Sequence, residues 1–309
     1  MTRIGSSDLE VSGLNLGGNV FGWTADRQAS FAILDAYREG GGNFIDTADS
    51  YSAWVPGHAG GESETMIGEW LAGDPARRDE VVIATKVSRR PARQGLRPDN
   101  VRAAVDDSLA RLRTDRIDLY YAHFDDTEVP IAEVAGVFSE LVDAGKIRHS
   151  AISNLAPERI DGWMAVVEAD GLHAPVALQP HYNLIERDFE TNGLCDAAER
   201  HGLGVLPYYA LASGFLTGKY RPGATPADSP RAGGMAKYLD NPDAVAALEA
   251  LSEIAAARGE SVTTVALAWL RQQPTVVAPI ASASRPEQLP DLLASMTLEL
   301  SASELAALA

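Results

Sequence analysis

Short apolar runs alternate with amphipathic segments along most of the chain. An apolar run of a few residues between polar positions is typical of a buried strand, whereas apolar residues that recur every three or four positions are typical of a helix packed on a core. Eight such runs predict strands at residues 14–17, 43–45, 81–86, 118–123, 149–153, 176–179, 204–208 and 276–280. Ahead of them, residues 2–12 alternate around a Gly-Ser-Ser-Asp turn, which predicts a β-hairpin.

Helical patterns fall between the predicted strands. Residues 98–112 place their apolar side chains on one stripe, and Ser261 is suited to cap the helix that follows it. Strands that alternate with helices form parallel sheets, and a count of eight favours an α/β fold of the closed (β/α)₈ TIM-barrel type, with an N-terminal β-hairpin, over an open sheet. No domain boundary stands out, so residues 1–309 are expected to form a single domain. Residues 218–234, rich in Pro, Gly and Ala, predict a long loop.

The composition of the chain excludes some classes of binding partner. Apolar residues make up 46% of the chain and charged residues 22%, which is ordinary for a globular protein. The formal net charge of −17 argues against nucleic acid or an anionic membrane as partner, because both require a basic face. The single Cys195 has no partner for an internal disulfide, and no targeting segment or membrane-spanning apolar run is evident; these features predict a cytoplasmic protein. The oligomeric state stays open, with a monomer favoured.

Polar side chains stand at the ends of six consecutive predicted strands. They are Asp46, Lys86, His123, Ser153 with Asn154, Gln179 and Tyr208. Each has an ordinary structural explanation: Asp46 could cap a helix, Lys86 could extend to solvent, and His123 could be a core histidine. In a barrel, however, the carboxyl ends of the strands meet at one rim, where active sites lie. Six polar ends together indicate an active site at that rim.

Several longer motifs point to a family. In chain order they are Asn43-Phe-Ile-Asp-Thr-Ala-Asp-Ser-Tyr51, Ala84-Thr-Lys86, Asp118-Leu-Tyr-Tyr-Ala-His123, Ile152-Ser-Asn-Leu155, Leu178-Gln-Pro-His-Tyr-Asn183 and Pro207-Tyr-Tyr-Ala-Leu-Ala-Ser-Gly-Phe-Leu-Thr-Gly-Lys219. With these motifs the chain resembles the aldo-keto reductases over essentially its full length. The resemblance implies a TIM barrel that reduces aldehydes and ketones to alcohols with NADPH, using an Asp/Tyr/Lys/His tetrad. The matching residues are Asp46, Tyr51, Lys86 and His123.

The chemistry implied for the tetrad depends on Tyr51 as general acid. A free phenol has a pKa of ~10, which makes it a weak acid at neutral pH. We expect the ammonium of Lys86 to lower the pKa of Tyr51, and Asp46 to position Lys86 and balance its charge. A neutral His123 would donate a hydrogen bond to the substrate oxygen. No metal site is expected.

The resemblance also implies where NADPH binds. Ser153, Asn154 and Gln179 are expected to hold the nicotinamide carboxamide. Tyr208 is expected to stack on the nicotinamide ring. The remaining expected contacts, from the nicotinamide ribose to the adenine, are Gly18, Asn19, Asp46, Leu211, Gly214, Leu216, Lys219, Ser282, Ser284, Arg285 and Gln288.

The phosphates of NADPH need local cations, because the chain as a whole is acidic. Arg285 is expected to bind the 2′-phosphate, while Lys219 and Arg221 are expected to close over the pyrophosphate. Two departures from the family pattern fall on the adenine side. Ser282 stands where a glycine is usual, and Asp291-Leu292 replaces a Glu-Asn pair.

Aromatic residues are expected to surround the substrate carbonyl. Trp23, Trp54 and Phe124 would form a cup beside Tyr51 and His123. The alternative is that Trp23 and Trp54 cover the cores of loops. Because little chain follows the eighth predicted strand, the pocket is expected to be open and to accept several small-molecule aldehydes or ketones.

Two other functions stay open. One is an NADPH-binding regulatory subunit with little turnover, since the family includes partners of potassium channels. The other is a lyase in which Lys86 forms a Schiff base with the substrate. The neighbouring Asp46 and Tyr51 argue against the lyase, because a paired ammonium is a poor nucleophile.

Overall fold

The predicted alternation of strands and helices is present in the structure, a computed structural model that describes residues 1–220 and 236–309. The strands within these ranges are β1 (Thr2–Arg3), β2 (Glu10–Val11), β3 (Asn15–Gly17), β4 (Phe44–Asp46), β5 (Val82–Val87), β6 (Arg89–Arg90), β7 (Arg93–Gln94), β8 (Ile117–Ala122), β9 (Ile147–Ser153), β10 (Ala177–Gln179), β11 (Gly204–Val205) and β12 (Ile280–Ala281). The helices are α1 (Arg27–Glu39), α2 (Glu62–Gly73), α3 (Arg77–Glu80), α4 (Pro98–Leu112), α5 (Ile131–Asp143), α6 (Pro157–Asp170), α7 (Leu194–His201), α8 (Ala236–Leu239), α9 (Pro242–Arg258), α10 (Val262–Arg271), α11 (Leu289–Ala294) and α12 (Ala302–Ala307).

Eight parallel strands form a closed barrel. They are hydrogen-bonded in the order β12, β3, β4, β5, β8, β9, β10 and β11. Val205 N donates to the Thr275 carbonyl at 3.0 Å and Val277 N donates to the Val205 carbonyl at 2.9 Å, which joins β11 to the segment leading into β12. The sheet therefore closes on itself, and the predicted (β/α)₈ TIM barrel is confirmed.

The N-terminal hairpin covers the amino-terminal end of the barrel. Its strands β1 and β2 pair antiparallel, with Thr2 opposite Val11, as predicted for residues 2–12. Ile4 and Leu9 pack with Phe44, which points into the barrel. Because the hairpin covers only that end, it leaves the opposite rim, formed by the carboxyl ends of the strands, uncovered.

Several element boundaries differ from the predictions. The strand predicted at 204–208 is regular only over Gly204–Val205, because Pro207 has no N–H to donate to a ladder. The strand predicted at 276–280 pairs first through an isolated bridge at Val276 and then as Ile280–Ala281. The antiparallel pair of β6 and β7 was not predicted. The loop predicted at 218–234 falls largely on residues 221–235, which lie outside the described residues, as does Arg221.

Two predicted helices begin and end for the expected reasons. Helix α4 spans Pro98–Leu112, with the proline in its first turn, where no N–H partner is lost. Helix α10 follows Ser261, whose Oγ accepts a hydrogen bond from Thr264 N at 3.0 Å. None of the described helices is long and apolar enough to cross a membrane.

Strand alternation turns the polar strand ends into the barrel. On β5, Ile83 packs against the surrounding helices, whereas Ala84 packs inside the barrel. The period of two turns Lys86 inward as well. Asp46 lies opposite Ala84 in the register of β4 and β5. The two charged residues therefore meet inside the carboxyl end of the barrel.

Candidate active site

Lys86 lies at the centre of the site, near the carboxyl end of β5. Its side chain is fully buried, and Nζ donates to Asp46 Oδ2 at 2.6 Å, to the Thr47 carbonyl at 2.8 Å and to the Tyr51 hydroxyl at 2.8 Å. An ammonium has three N–H groups, so all of them are used. Burial lowers the pKa of Lys86, and the Asp46 carboxylate is the largest influence opposing that shift. Lys86 is thus held rigidly against two members of the predicted tetrad.

Asp46 links the tetrad to a more distant strand. Its Oδ2 accepts from Lys86 and, at 3.2 Å, from the Tyr51 hydroxyl. Its Oδ1 accepts from Gln179 Nε2, at the end of β10, at 3.0 Å. Both carboxylate oxygens therefore have partners. Asp46 caps none of the described helices, so the plain structural explanation for this residue fails.

The pKa of Tyr51 is shifted in the direction opposite to the prediction. Burial, and then the Asp46 carboxylate, raise the pKa of the phenol well above its usual range. The expectation of a lowered pKa is wrong for this arrangement, because a phenolate here would be both desolvated and next to a carboxylate. Tyr51 therefore keeps its proton at neutral pH, which a proton donor requires.

His123 presents a neutral imidazole beside Tyr51. The two rings meet edge to face, with centroids 6.2 Å apart. Burial lowers the pKa of His123 well below its usual range, and the charges of Lys86 and Arg89 act in the same direction. A neutral imidazole carries one N–H, so His123 can donate to an oxygen placed near Tyr51. Its Nδ1 is buried and has no hydrogen-bond partner within the described part of the chain.

The polar residues at the next strand ends form one hydrogen-bonded chain. Ser153 Oγ donates to the Gln179 carbonyl at 2.9 Å. Asn154 Nδ2 donates to Ser153 Oγ at 2.9 Å and to the His123 carbonyl at 2.8 Å. Tyr208 closes the chain, since its hydroxyl donates to Asn154 Oδ1 at 2.8 Å. Through Gln179 and Asp46, this chain continues into the tetrad.

The residues predicted at the phosphate end lie around the end of β12. Ser282 Oγ donates to Asn19 Oδ1 at 2.6 Å, and a Cβ on Gly17 would lie 2.5 Å from the same Ser282 oxygen. Glycine at position 17 therefore makes room for a serine where the family usually has glycine. Gln288 Oε1 accepts from the backbone N–H groups of Ser284 at 2.8 Å and Arg285 at 3.2 Å, which fixes this turn.

A groove of about 1020 Å³ joins the two ends of the site. Most of the predicted residues line it: Asn19, Trp23, Asp46, Tyr51, Trp54, His123, Phe124, Asn154, Gln179, Tyr208, Leu211, Gly214, Lys219, Ser282, Ser284, Arg285 and Gln288. Four predicted residues do not line it: Gly18, Lys86, Ser153 and Leu216. Lys86 and Ser153 lie beneath the groove and act on its lining through hydrogen bonds, whereas the Leu216 side chain is buried in the core.

Aromatic rings surround the tetrad end of the groove. Trp23 and Trp54 meet edge to face with centroids 5.6 Å apart, and Tyr51 and Trp54 lie 6.1 Å apart. Trp54 is 51% exposed, which argues against the alternative that it covers a loop core. Phe124 continues this wall, with its ring 5.0 Å from that of His123.

Comparison with known proteins agrees with this geometry. A model described as the aldo/keto reductase family matches residues 13–309. The chain belongs to the aldo/keto reductase family. It is therefore an oxidoreductase of that family, on the barrel that the structure shows.

Three relatives of this aldo/keto reductase cover nearly its whole length. "Protein tas" of Escherichia coli K12 is 33% identical over 98% of this chain and 95% of its own. A "probable voltage-gated potassium channel subunit beta" of rice, Oryza sativa, is 32% identical over 93% of this chain and 88% of its own. An "L-glyceraldehyde 3-phosphate reductase" of Escherichia coli K12 is 31% identical over 98% of this chain and 89% of its own.

The groove of this aldo/keto reductase suits a nicotinamide dinucleotide. Near the tetrad it offers the ring of Tyr208, and at the far end it offers Arg285, which is exposed and makes no ion pair with any residue the structure describes. A flat ring and an available guanidinium match the two ends of such a ligand. Within residues 1–220 and 236–309, no three His, Cys, Asp or Glu side chains are grouped to hold a metal ion.

Sequence reasoning missed some of the lining. Tyr209, Thr24 and Thr217 also border the groove. Thr24 Oγ1 lies 3.0 Å from Ser284 Oγ, so it bridges the loop after β3 to the end of β12. Tyr209 is 54% exposed with a positive φ of 54°, an uncommon backbone conformation for a tyrosine. Only the Tyr-Tyr pair at 208–209 could have pointed to it from the sequence.

Proposed function

We propose that this protein reduces aldehydes and ketones to alcohols with NADPH, and that Tyr51 donates the proton. One observation carries the proposal: the Tyr51 hydroxyl is held between Lys86 Nζ and Asp46 Oδ2 where it borders the groove. A proton donor fixed in that way, beside a neutral histidine, suits the charge that develops on a carbonyl oxygen during reduction.

NADPH, when bound, supplies the hydride that adds to the carbonyl carbon. The chain's own residues handle the oxygen. His123 donates a hydrogen bond that orients the oxygen over Tyr51, and Tyr51 transfers its phenolic proton to that oxygen as negative charge builds there. The phenolate left behind lies 2.8 Å from the Lys86 ammonium, which offsets its charge. In the reverse direction the same phenolate accepts the alcohol proton.

Asp46 and Gln179 act as positioning residues in this scheme. Asp46 neutralises Lys86 and keeps Nζ pointed at the phenol. Gln179 fixes the second carboxylate oxygen, so that Asp46 cannot rotate away. Misplacement of a reacting group by about 1 Å can cost ~10²-fold in rate, which is why this bracing matters.

The cofactor specificity in this proposal rests on Arg285. The chain carries a formal net charge of −17, so a 2′-phosphate would be repelled unless a cation met it locally. The guanidinium of Arg285 is suited to bind that phosphate in two-point contact. Lys219 lines the same groove, and its ammonium suits the pyrophosphate.

The aromatic wall indicates the kind of substrate. Trp23, Trp54 and Phe124 present largely apolar ring surface and carry no charge, so we propose that small neutral aldehydes and ketones enter at this end. The acidic charge and the single cysteine support a cytoplasmic enzyme that acts on small molecules.

A regulatory role is the second candidate, favoured by the relative described as a potassium channel subunit beta. Such a protein could keep the same groove and bind NADPH with little turnover. A Schiff-base lyase has less support. Burial lowers the pKa of Lys86, as a nucleophilic lysine requires, but Nζ is surrounded by three oxygens and its side chain is fully buried. A substrate carbon could not approach it.

A panel of aldehydes and ketones, scored by NADPH consumption, tests the proposal. We expect turnover with several members of the panel, and loss of turnover in Tyr51→Phe. Tight NADPH binding without turnover on any member would favour the regulatory role. A substrate adduct at Lys86 that borohydride traps would favour the lyase.

A further inference from the structure

The ring of His181 stacks on the ring of Tyr208. Their centroids are 5.3 Å apart and their planes differ by 13°. A nearly parallel arrangement at this distance is among the geometries that aromatic pairs favour. Tyr208 is also tied at its far end by its hydroxyl, which donates to Asn154 Oδ1 at 2.8 Å. Its ring is therefore fixed from two directions.

Strand pairing brings these two residues together. His181 follows β10 and Tyr208 follows β11, and the two form a parallel bridge just beyond the regular ladder. Tyr208 N donates to the Pro180 carbonyl at 3.0 Å, which keeps the two chains in register. Residues directly opposite each other on neighbouring strands present their side chains on the same face. The contact is therefore imposed by the backbone.

Tyr208 borders two cavities, as does Asn154, to which its hydroxyl donates. One is the groove that contains the tetrad. The other is a cavity of about 200 Å³, bordered by His181, Glu186 and Asp188 as well as by Tyr208. Of these two cavities, His181 borders only the smaller. Its imidazole thus lies behind the tyrosine ring, as seen from the groove.

His181 contributes a flat face at this position. Its Nε2 is buried and has no hydrogen-bond partner among the residues that the structure describes. Burial lowers the pKa of His181, so the ring is neutral at neutral pH and meets Tyr208 as an aromatic ring. The ring of Tyr209 meets it edge to face, with centroids 5.3 Å apart. An aromatic side chain without the nitrogen could occupy the same place.

We propose that His181 is a positioning residue for the nicotinamide end of the cofactor. By stacking on the rear face of Tyr208, it holds the front face flat against the groove, where the nicotinamide ring binds. This inference rests on the proposed NADPH-dependent function. Loss of the backing ring lets Tyr208 tilt, which weakens contacts at the nicotinamide end and leaves the phosphate end near Arg285 unchanged.

Calorimetric titration of two ligands against two variants tests this role. NADPH reports on the whole groove, whereas 2′,5′-ADP reports on the phosphate end alone. His181→Leu removes the ring, and we expect it to raise the Kd for NADPH roughly 2- to 12-fold while leaving the Kd for 2′,5′-ADP unchanged. His181→Phe is the matched control, because it keeps a ring and removes the unpartnered nitrogen. We expect it to bind both ligands as the wild type does.

Three results would overturn the inference: an unchanged Kd for NADPH in His181→Leu, equal weakening of both ligands, or failure of His181→Phe to restore binding. If His181→Leu does not fold, His181→Gln replaces it with the same expectation, since glutamine also lacks a ring. Failure of the wild type to bind NADPH would refute the proposed function itself. That outcome is separate, because it is measured before any variant is compared.

Discussion

The two ends of the groove are built differently. At the tetrad end, Lys86 and Asp46 are buried, and their charged atoms are hydrogen-bonded to each other, to Tyr51 and to Gln179 at another strand end. At the phosphate end, Arg285 is exposed and pairs with no carboxylate in the described part of the chain, and the fixed contacts there are those of the turn itself. One end is rigid before any ligand arrives, while the other keeps its charge available.

This difference separates rate from affinity. A buried, interlocked tetrad has its reacting groups placed in advance, so a change there is expected to alter the chemical step. An exposed guanidinium gains its partner only from the ligand, so a change there is expected to alter binding. Mutations at the tetrad end should therefore change the catalytic rate constant, and mutations at the phosphate end should change the Kd for the cofactor. Single substitutions test this expectation.

Tyr51→Phe should have the largest effect. It removes the phenolic hydroxyl and keeps the ring, so the catalytic rate constant for an aldehyde should fall ~10²–10⁴-fold while the Kd for NADPH stays near that of the wild type. Tyr209→Phe is the matched control, because Tyr209 also lines the groove but lies outside the tetrad. Wild-type turnover in Tyr51→Phe would remove Tyr51 from the role of general acid.

Arg285→Ala should affect affinity instead. A hydrogen-bonded ion contact contributes about 1.5–3 kcal/mol, so the Kd for NADPH should rise roughly 10- to 150-fold. NADH lacks the 2′-phosphate and should lose little, and Arg285→Lys should recover only part of the loss. Fluorescence titration of both cofactors measures the effect. Equal losses for NADPH and NADH would mean that the 2′-phosphate is bound elsewhere.

Gln179→Ala should lower the rate constant of hydride transfer by up to ~10²-fold in single-turnover kinetics, because it removes the hydrogen bond to Asp46 Oδ1 and the contact that we propose with the nicotinamide. Gln273→Ala serves as the control, since Gln273 donates to the Trp269 carbonyl away from the groove. An effect confined to the KM of the substrate would contradict the view that the tetrad end controls the chemical step.

Asp49→Asn should have the smallest effect on turnover and a clear effect on stability. Asp49 is buried three residues after Asp46, yet neither of its carboxylate oxygens has a hydrogen-bond partner in the described structure. Burial, and then the nearby Glu64 carboxylate, raise the pKa of Asp49 to about 8, although Arg111 and Arg90 oppose the shift. Asp49 is therefore a buried carboxyl group without a hydrogen-bond partner in the described structure, close in sequence to the fully paired Asp46.

The sign of the effect at Asp49 follows from proton linkage. Between pH ~4 and 8 the unfolded state releases the proton that the folded state keeps, so Asp49 costs stability increasingly as the pH rises through that window. The asparagine variant should be more stable at pH 8 by an amount on the order of a few kcal/mol, and the gain should shrink towards pH 4. Urea denaturation at pH 5, 7 and 8 measures it. A gain that does not change with pH would show that Asp49 is charged or paired.

The parts of the site that alternate along strands were accessible from the sequence. Asp46, Lys86 and Gln179 each end an apolar run, and the period of two fixes which way they face. Contacts that depend on the distance between strands could not be predicted from the sequence. The raised pKa of Tyr51 depends on how deeply the ring is buried, and the stack of His181 on Tyr208 depends on a bridge between two strand ends. No local pattern in the chain encodes either property.

The same limit applies to the fold. The strand predicted at 204–208 stops early because Pro207 interrupts its ladder, and the hairpin of β6 and β7 is too short for a periodic pattern to reveal. The motif predicts Leu216 among the cofactor contacts, but its side chain is buried in the core. Motif position indicates which backbone segment is near a ligand, and burial decides which side chains reach it.

Closure of the barrel has a consequence for how the chain folds. The N–H of Asn15, on the first barrel strand β3, donates to the carbonyl of Pro279, which precedes the last barrel strand β12. The junction between β3 and β12 therefore joins segments that are very distant in sequence. Contacts of this kind carry the largest loop-closure entropy and slow folding. Asn19 and Ser282 lie on the two sides of this junction and both line the groove, so the groove is incomplete until the barrel closes. A ligand that binds only the closed barrel shifts the folding equilibrium towards it, so under the proposed function we expect NADPH to raise the yield of folded protein.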